Sequence, residues 1–308
     1  MPRKLLHLDA NESVFFLREL DFVKSKSYDV QYPELKARTL IPVSFEAGAG
    51  AETITYEQYD QVGMAKIVSS YADDLPRADI KGKEFTARVR SLADSYGYNI
   101  QEVRAAKMAG KPLEQRKSNA AKRAMMQKED SIAALGDADH GLIGFVNHPN
   151  ISSTTLPNDG TGASTLWANK TPAQIIRDLN KVANFIVENT KEVELPNTLL
   201  LPVEKYNYIA STPIGDNADK TILKFFLDNS PYIKEVIPWN KLKAAGAGGL
   251  DRMIAYDKNP EKLTLEIPQD FEQLDVEQRG LEFLVPCHSR CGGVIIYYPL
   301  SVAYADGL

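Results

Sequence analysis

Residues 96–150 read YGYNIQEVRAAKMAGKPLEQRKSNAAKRAMMQKEDSIAALGDADHGLIGFVNHPN, and this stretch decides the fold. Asn99 and Glu102 stand at the spacing of a capping box, although that box more often opens with Ser or Thr. They predict a short helix that runs to Ala109 and stops at Gly110. Lys111 and Pro112 restart it, with Pro at a first-turn position where its missing N–H does no harm. From Leu113 to Leu135 there is neither Gly nor Pro, and at ~1.5 Å per residue a helix of that length spans about 34 Å. Leu113, Ala120, Ala121, Ala124, Met125, Ile132 and Leu135 recur mostly at three- and four-residue spacing and make its apolar side. Arg116, Lys117, Lys122, Arg123 and Lys128 cover the rest. Glu114, Glu129 and Asp130 are interspersed among them, which reads as a solvated face rather than a DNA contact. Gly136 is a natural C-terminal cap. An extended arm feeding a long surface helix suits a subunit that assembles better than a pocket that does chemistry.

Towards the N-terminus, residues 1–44 mix short apolar patches (Phe15, Phe16, Leu17, Leu20) with charges and read as a tether or arm. Residues 45–95 have β character. Gly48 and Gly50 make a flexible start, and Thr53, Ile54, Thr55, Tyr56 and Tyr59 are strand formers. Between positions 83 and 90 the alternation is clean, with Phe85, Ala87 and Val89 on one side and Glu84, Thr86, Arg88 and Arg90 on the other. Asp73, Asp74, Leu75 and Pro76, then Lys81, Gly82 and Lys83, supply turn chemistry. The segment is expected to be a long hairpin. Two strands alone are marginal in water, so it needs another surface to lie on.

Beyond residue 137 the pattern becomes mixed α/β. A short strand is expected over 141–146, and a polar Gly/Ser/Thr loop over 152–168. The clearest helix follows. Thr171 caps it, Pro172 sits in its first turn, and Ile175, Ile176, Leu179, Val182, Ala183, Ile186 and Val187 form one stripe. A buried strand is expected at 198–201, a helix at 218–228, and strands at 232–239, 252–256, 263–267, 281–286 and 294–298, with a flexible AAGAGG loop at 244–249.

With 44% apolar and 25% charged residues among 308, the chain is an ordinary globular composition with room for a sizeable core. Lys and Arg number 36 against 41 Asp and Glu, a net charge of −5, which argues against a protein whose main task is gripping nucleic acid. Cys287 and Cys291 are the two cysteines, so no disulfide framework is expected. The charged N-terminus does not read as a signal peptide, and no apolar run approaches the ~20 residues of a membrane span, so a cytoplasmic location is expected.

Motifs for nucleotide, metal or nucleophile chemistry are mostly missing: no GxGxxG after a strand, no Walker-type loop, no HExxH, no GxSxG. AAGAGG lacks the lysine and following helix of a phosphate cradle. Cys287, His288 and Cys291 could offer three soft ligands to zinc, but a structural site wants four and His7, His140 and His148 lie far off in sequence; a Cys287–His288 nucleophile pair is opposed by strand alternation, which turns adjacent residues to opposite faces. Asp137, Asp139 and the DGTG at 159–162 read as loop polarity rather than a cation site. No catalytic residue, cofactor or metal is expected.

The order of tether, β arm, short helix, long helix, mixed domain and closing strands resembles the major capsid protein of tailed bacteriophages. Specific motifs carry the resemblance: GYNIQE at 97–102, AGKPLEQRK at 109–117, GLIGFVNHPN at 141–150 and the terminal GGVIIYYPLSVAYADGL at 292–308. They are similar to one phage and prophage capsid family formerly catalogued as an uncharacterised bacterial domain. The resemblance covers residues 40–308 and is strongest over 70–150.

It implies an α+β, HK97-like capsid fold: an N-terminal arm (1–44), an extended loop or E-loop (45–95), a peripheral domain with its spine helix (96–150), a mainly axial α/β domain (151–278) and closing strands (279–308). It implies self-assembly as hexamers and pentamers into an icosahedral virion shell around double-stranded DNA, without sequence-specific contacts. Portal, scaffold, maturation protease and decoration proteins are implied partners, with assembly in the host bacterial cytoplasm. Ile54, Tyr56, Phe85, Arg88, Val89 and Arg90 are the candidate subunit-interface residues, and Gly48 and Gly50 the candidate hinge of the E-loop. Some family members crosslink through Lys and Asn. Lys81 and Lys83 are suggestively placed, but no partner can be named and no crosslink is expected. Encapsulin-type nanocompartment shells share the fold and are the near alternative; a soluble α/β hydrolytic enzyme using Cys287 and His288 is the alternative of another class.

Overall fold

The computed structural model describes residues 32–62, 79–110, 113–215 and 219–308. The chain divides into Met1–Glu34 and Leu35–Leu308, and every element below belongs to the second unit. That unit begins with one helical turn, α1 (Ala37–Leu40), and a short strand, β1 (Val43–Ser44). Sequence reading places both in the tether. Instead Ala37, Leu40 and Ile41 are buried, because Asp130 accepts from the Ala37 N–H at 3.0 Å and seats the turn in the core.

Two ten-residue strands follow, β2 (Thr53–Val62) and β3 (Asp79–Arg88), antiparallel from Thr53↔Arg88 to Val62↔Asp79. Residues 63–78, including most of the Pro-bearing turn expected at 73–79, lie outside the described residues. After Val89 comes β4 (Arg90–Asn99), a body strand that runs past the expected end of the extended loop.

Helix α2 (Ile100–Ala109) opens on the predicted capping box, with Asn99 and Glu102 satisfying each other's backbone N–H. It ends at Gly110 in the left-handed conformation. Helix α3 (Leu113–Leu135) has the predicted bounds. Gly136, at φ 76°, ends it.

A pair of two-residue strands, β5 (Gly136–Asp137) and β6 (Leu142–Ile143), replaces the longer strand expected at 141–146. The reason is the free carbonyls of the helix end. The Phe145 and Val146 N–H groups donate to the carbonyls of Ala133 and Ala134 at 2.8 and 2.9 Å, which pulls the chain off its strand path.

Strand β7 (Ser153–Thr155) and the fully buried Trp167 interrupt what reads as a polar loop. Helix α4 (Pro172–Thr190) carries the Thr171–Gln174 capping box and buries the predicted stripe, with Ile176 half-buried at its margin. Next come β8 (Thr198–Leu201), α5 (Val203–Ser211), α6 (Ile222–Asn229, capped by Thr221), β9 (Glu235–Pro238), β10 (Arg252–Tyr256), β11 (Leu263–Glu266), β12 (Gln269–Gln273), β13 (Glu277–Arg279), β14 (Glu282–Cys291), β15 (Gly293–Ile296) and β16 (Val302–Asp306). The AAGAGG segment is not loose: a Cβ on Gly246 would meet Asp306 Oδ1 at 2.7 Å, and Asp306 is held by Arg252 through two bonds of 2.7 and 2.8 Å.

The five-stranded sheet β7-β16-β10-β8-β9 has a core on each face. Period-two alternation sorts its side chains. Leu199, Leu201, Met253, Ala255 and Ala303 pack with Leu179, Val182 and Ile186 of α4 and Phe226 of α6. Leu200, Ile254, Tyr256, Val302 and Tyr304 face a second core, shared with Ile132, Phe145, Leu263 and Leu265. Beneath the first core Lys170 and Asp178 pair at 2.6 Å with both side chains fully buried. The second core is closed by the three-stranded sheet β1-β11-β15.

A third sheet, β12-β14-β13 with β4 paired along all ten residues of β14, supports α3. Ala121 and Met125 pack on Cys287, Leu92, Tyr96 and Phe271. Ala120, Ala124 and Leu135 of the expected apolar side are exposed. Glu129 and Asp130, expected on the solvated face, are buried instead. Glu129 receives the Arg38 guanidinium through bonds of 2.6 and 2.8 Å, and Arg38 also reaches Asp270 at 2.8 Å.

Candidate assembly surfaces

Among the described residues the outer part of the β2–β3 hairpin has little support from its own chain. At about 3.3 Å per residue its paired strands extend about 33 Å. Near the root one face is covered. Tyr56 stacks on Phe85 with centroids 5.2 Å apart, and its edge meets Tyr297 at 5.0 Å. Ile54 and Val89 border Gly292, where an added Cβ would come within 3.4 and 3.6 Å of them. A cavity of about 310 Å³ remains between this face and the body, lined by Tyr56, Phe85, Ile143 and Tyr297 among others.

Farther out, cover is lost on both faces. Glu57, Gln58, Lys81, Gly82, Lys83 and Glu84 are exposed, and Tyr59 and Ile80 keep 63% and 64% of their surface in solvent. Lys83 rests its ammonium 4.8 Å from the Phe85 ring.

The structure therefore separates the six interface candidates. Val89 is 2% exposed and is committed to its own subunit. Ile54, Tyr56 and Phe85 are half-buried against their own body. Arg88 and Arg90 line one cleft with Arg290 at the hairpin root. Gly48 and Gly50 lie in a turn closed by the Ala51 N–H donating to Gly48 O at 2.9 Å. Neither has a positive φ, and a Cβ at either would meet nothing within 4 Å, so no local packing demands glycine there.

Sequence reading missed Tyr59 and Ile80 as the exposed apolar groups of the hairpin, because it weighed residues by pattern and could not see where the body's cover ends. It also missed Arg290, whose strand partner Ser91 lies about 200 positions away in the chain.

Chemistry is not built at the closing strands. Along β14 Cys287 is buried and His288 turns to the other face. Burial pushes the Cys287 thiol up and the Cys291 thiol to about 12, the opposite of what a nucleophile needs. Among the described residues no three His, Cys, Asp or Glu side chains cluster to hold a metal ion, and no helix is long and apolar enough to cross a membrane. Asp137 is engaged by His140 at 2.7 Å and Lys128 at 3.0 Å, which hold its carboxyl down at about 2. Asp159 pairs with Arg177.

Solved structures share this architecture. The capsid of Myoviridae phage XM1 superposes with a TM-score of 0.82 at 19% identity, over 96% of this chain and 99% of that one. The capsid of a native GTA particle gives 0.66 at 10% identity, over 94% and 95%. A virus-like particle from Pyrococcus furiosus gives 0.54 at 13% identity, over 87% and 91%. At these identities the likeness shows the fold. No curated relative matches the chain. The family model described as major capsid protein matches residues 63–308. That match covers most of the chain and favours neither the nanocompartment nor the hydrolase reading: this chain belongs to the major capsid protein family, whose role is structural rather than enzymatic.

Proposed function

We propose that this protein assembles as hexamers and pentamers into the icosahedral shell of a tailed, double-stranded DNA phage, inside the host cytoplasm. The observation that carries the reading is the outer half of the β2–β3 hairpin. It is a two-stranded ribbon with both faces in solvent and Tyr59 and Ile80 largely uncovered. Such a ribbon is marginal by itself, and laying it over a neighbouring subunit buries those groups. Tyr59 and Ile80 then act as anchors, with Arg88 and Arg90 at the rim of the contact. Tyr56, Phe85 and Ile54 hold the root on its own body. The net charge of −5 suits a lining that leaves packaged DNA mobile. Portal, scaffold, protease and decoration proteins are the further partners this role calls for.

Electron microscopy of the purified protein, after a sizing column, tests the assembly. Closed shells or rings of five and six subunits are expected. A particle that stays monomeric or dimeric even with scaffold protein or crowding agent added would overturn the reading. The turn at Gly48 and Gly50 is proposed as the hinge about which the hairpin swings when an immature shell expands. Replacing both by proline should leave the subunit folded and block expansion; normal expansion of that variant would remove the hinge.

A further inference from the structure

Among the described residues Arg88, Arg90, Arg104 and Arg290 pair with no carboxylate, whereas Arg38, Arg177, Arg252 and Arg279 each do. Three of those four, Arg88, Arg90 and Arg290, converge on one cleft of about 420 Å³ at the root of the hairpin. Glu52 is the single acid among its lining residues. Three cations against one acid leave the cleft with an uncompensated positive charge.

The cleft is also a built arrangement. Arg88 and Arg90 flank the buried Val89, so strand alternation turns both away from the core. The Arg88 stem lies along Gly141, where an added Cβ would sit 3.4 Å from its Cδ. Arg90 Nε donates to the His140 carbonyl at 3.1 Å. Arg290 Nη1 donates to the Ala49 carbonyl, while its Nε is buried with no partner. The nearby Asp137 carboxylate is already taken by His140 and Lys128.

We propose that this cleft receives a carboxylate carried by a second copy of this chain. The inference rests on the shell reading above. Arginine forks match carboxylate geometry, and a chain with 41 acids against 36 bases has carboxylates to offer. Packaged nucleic acid fits less well. The cleft is one isolated basic spot, with Glu52 inside it and Glu57 and Glu84 directly opposed on the adjoining ribbon, whereas a phosphate backbone calls for a continuous cationic track.

The test is a charge reversal at Arg88, whose side chain makes no hydrogen bond or ion pair among the described residues, read by light scattering of assembling wild-type and variant protein. Arg88→Glu should keep the subunit's melting temperature and raise the concentration at which assembly begins by about tenfold or more. Arg88→Lys should recover part of that loss. A photo-crosslinking residue at position 88, followed by peptide mass spectrometry of assembled particles, should link to an acidic segment of another copy. Wild-type assembly with an unchanged onset for Arg88→Glu would overturn the cleft proposal alone. Wild-type protein that never assembles would instead overturn the shell reading. Crosslinks to DNA, or an Arg88-dependent loss of bound DNA with assembly intact, would likewise overturn the proposal.

Discussion

The five-stranded sheet and the β2–β3 hairpin are both β structure, yet they are stabilised in opposite ways. The sheet has a buried core on each face, so each strand residue from Leu199 to Leu201 and from Met253 to Tyr256 meets its own chain. Among the described residues the hairpin has cover only near its root, and Glu57 to Tyr59 and Ile80 to Glu84 are exposed. The sheet is complete in one subunit; in the proposed shell the hairpin is completed by another. Mutations in the first region should therefore register in the unfolding of the subunit, and mutations in the second in its assembly.

Truncation of the sheet gives the largest effect. Ile254→Ala, in the core shared with Tyr256 and Phe145, should lower subunit stability by about 2–5 kcal/mol. Chemical denaturation of the unassembled protein measures it, and a loss below about 1 kcal/mol would erase the contrast. Next is the buried ion pair under α4. Lys170→Met leaves Asp178 with Arg177 as its remaining cationic partner and should cost about 3 kcal/mol in the same measurement. A stability equal to wild type would mean that the pair is not part of the core's support. Tyr59→Ala should fall on the other side of the divide. Its effect on subunit stability is expected within about 0.5 kcal/mol, while shell formation weakens. A melting temperature that drops as far as that of Ile254→Ala would show the hairpin to be internally stabilised after all.

The smallest effect concerns pH. His140 first, then Lys128, hold the Asp137 carboxyl at about 2, below the ordinary value of about 4. A depressed carboxyl stabilises the fold above its unfolded pKa, and that contribution is lost as pH falls through about 2. The difference in stability between wild type and Asp137→Asn should therefore shrink between about pH 4 and pH 2. A difference that stays constant across that window would exclude the linkage.

Much of the fold was legible because local chemistry agreed with the tertiary result. The Asn99–Glu102 box, the Thr171 cap, the Gly110 and Gly136 stops and the α4 stripe all stand where the pattern put them. What was not legible depends on partners distant in sequence. Glu129 and Asp130 read as solvated because Arg38 and the Ala37 N–H, which bury them, lie about 90 positions away. Helix α5 follows Pro202 and buries only Ile209, too little periodicity to announce a helix. Of the candidate site, the alternation around Val89 was readable, but which face the body covers was not. Val89 and Phe85 alternate alike along the chain, yet one is sealed in its own subunit and the other is half-open.

Strand β4 pairs with β14 along its full length and is separated from β3 by Val89 alone. The second strand of the hairpin is thus joined to the body through one buried valine. In the proposed shell, a neighbour bearing on the hairpin would load the sheet beneath α3 through Leu92 and Tyr96 against Met125. Subunits joined this way would sense strain in the proposed shell through α3, and a change of curvature at one contact would be transmitted rather than absorbed.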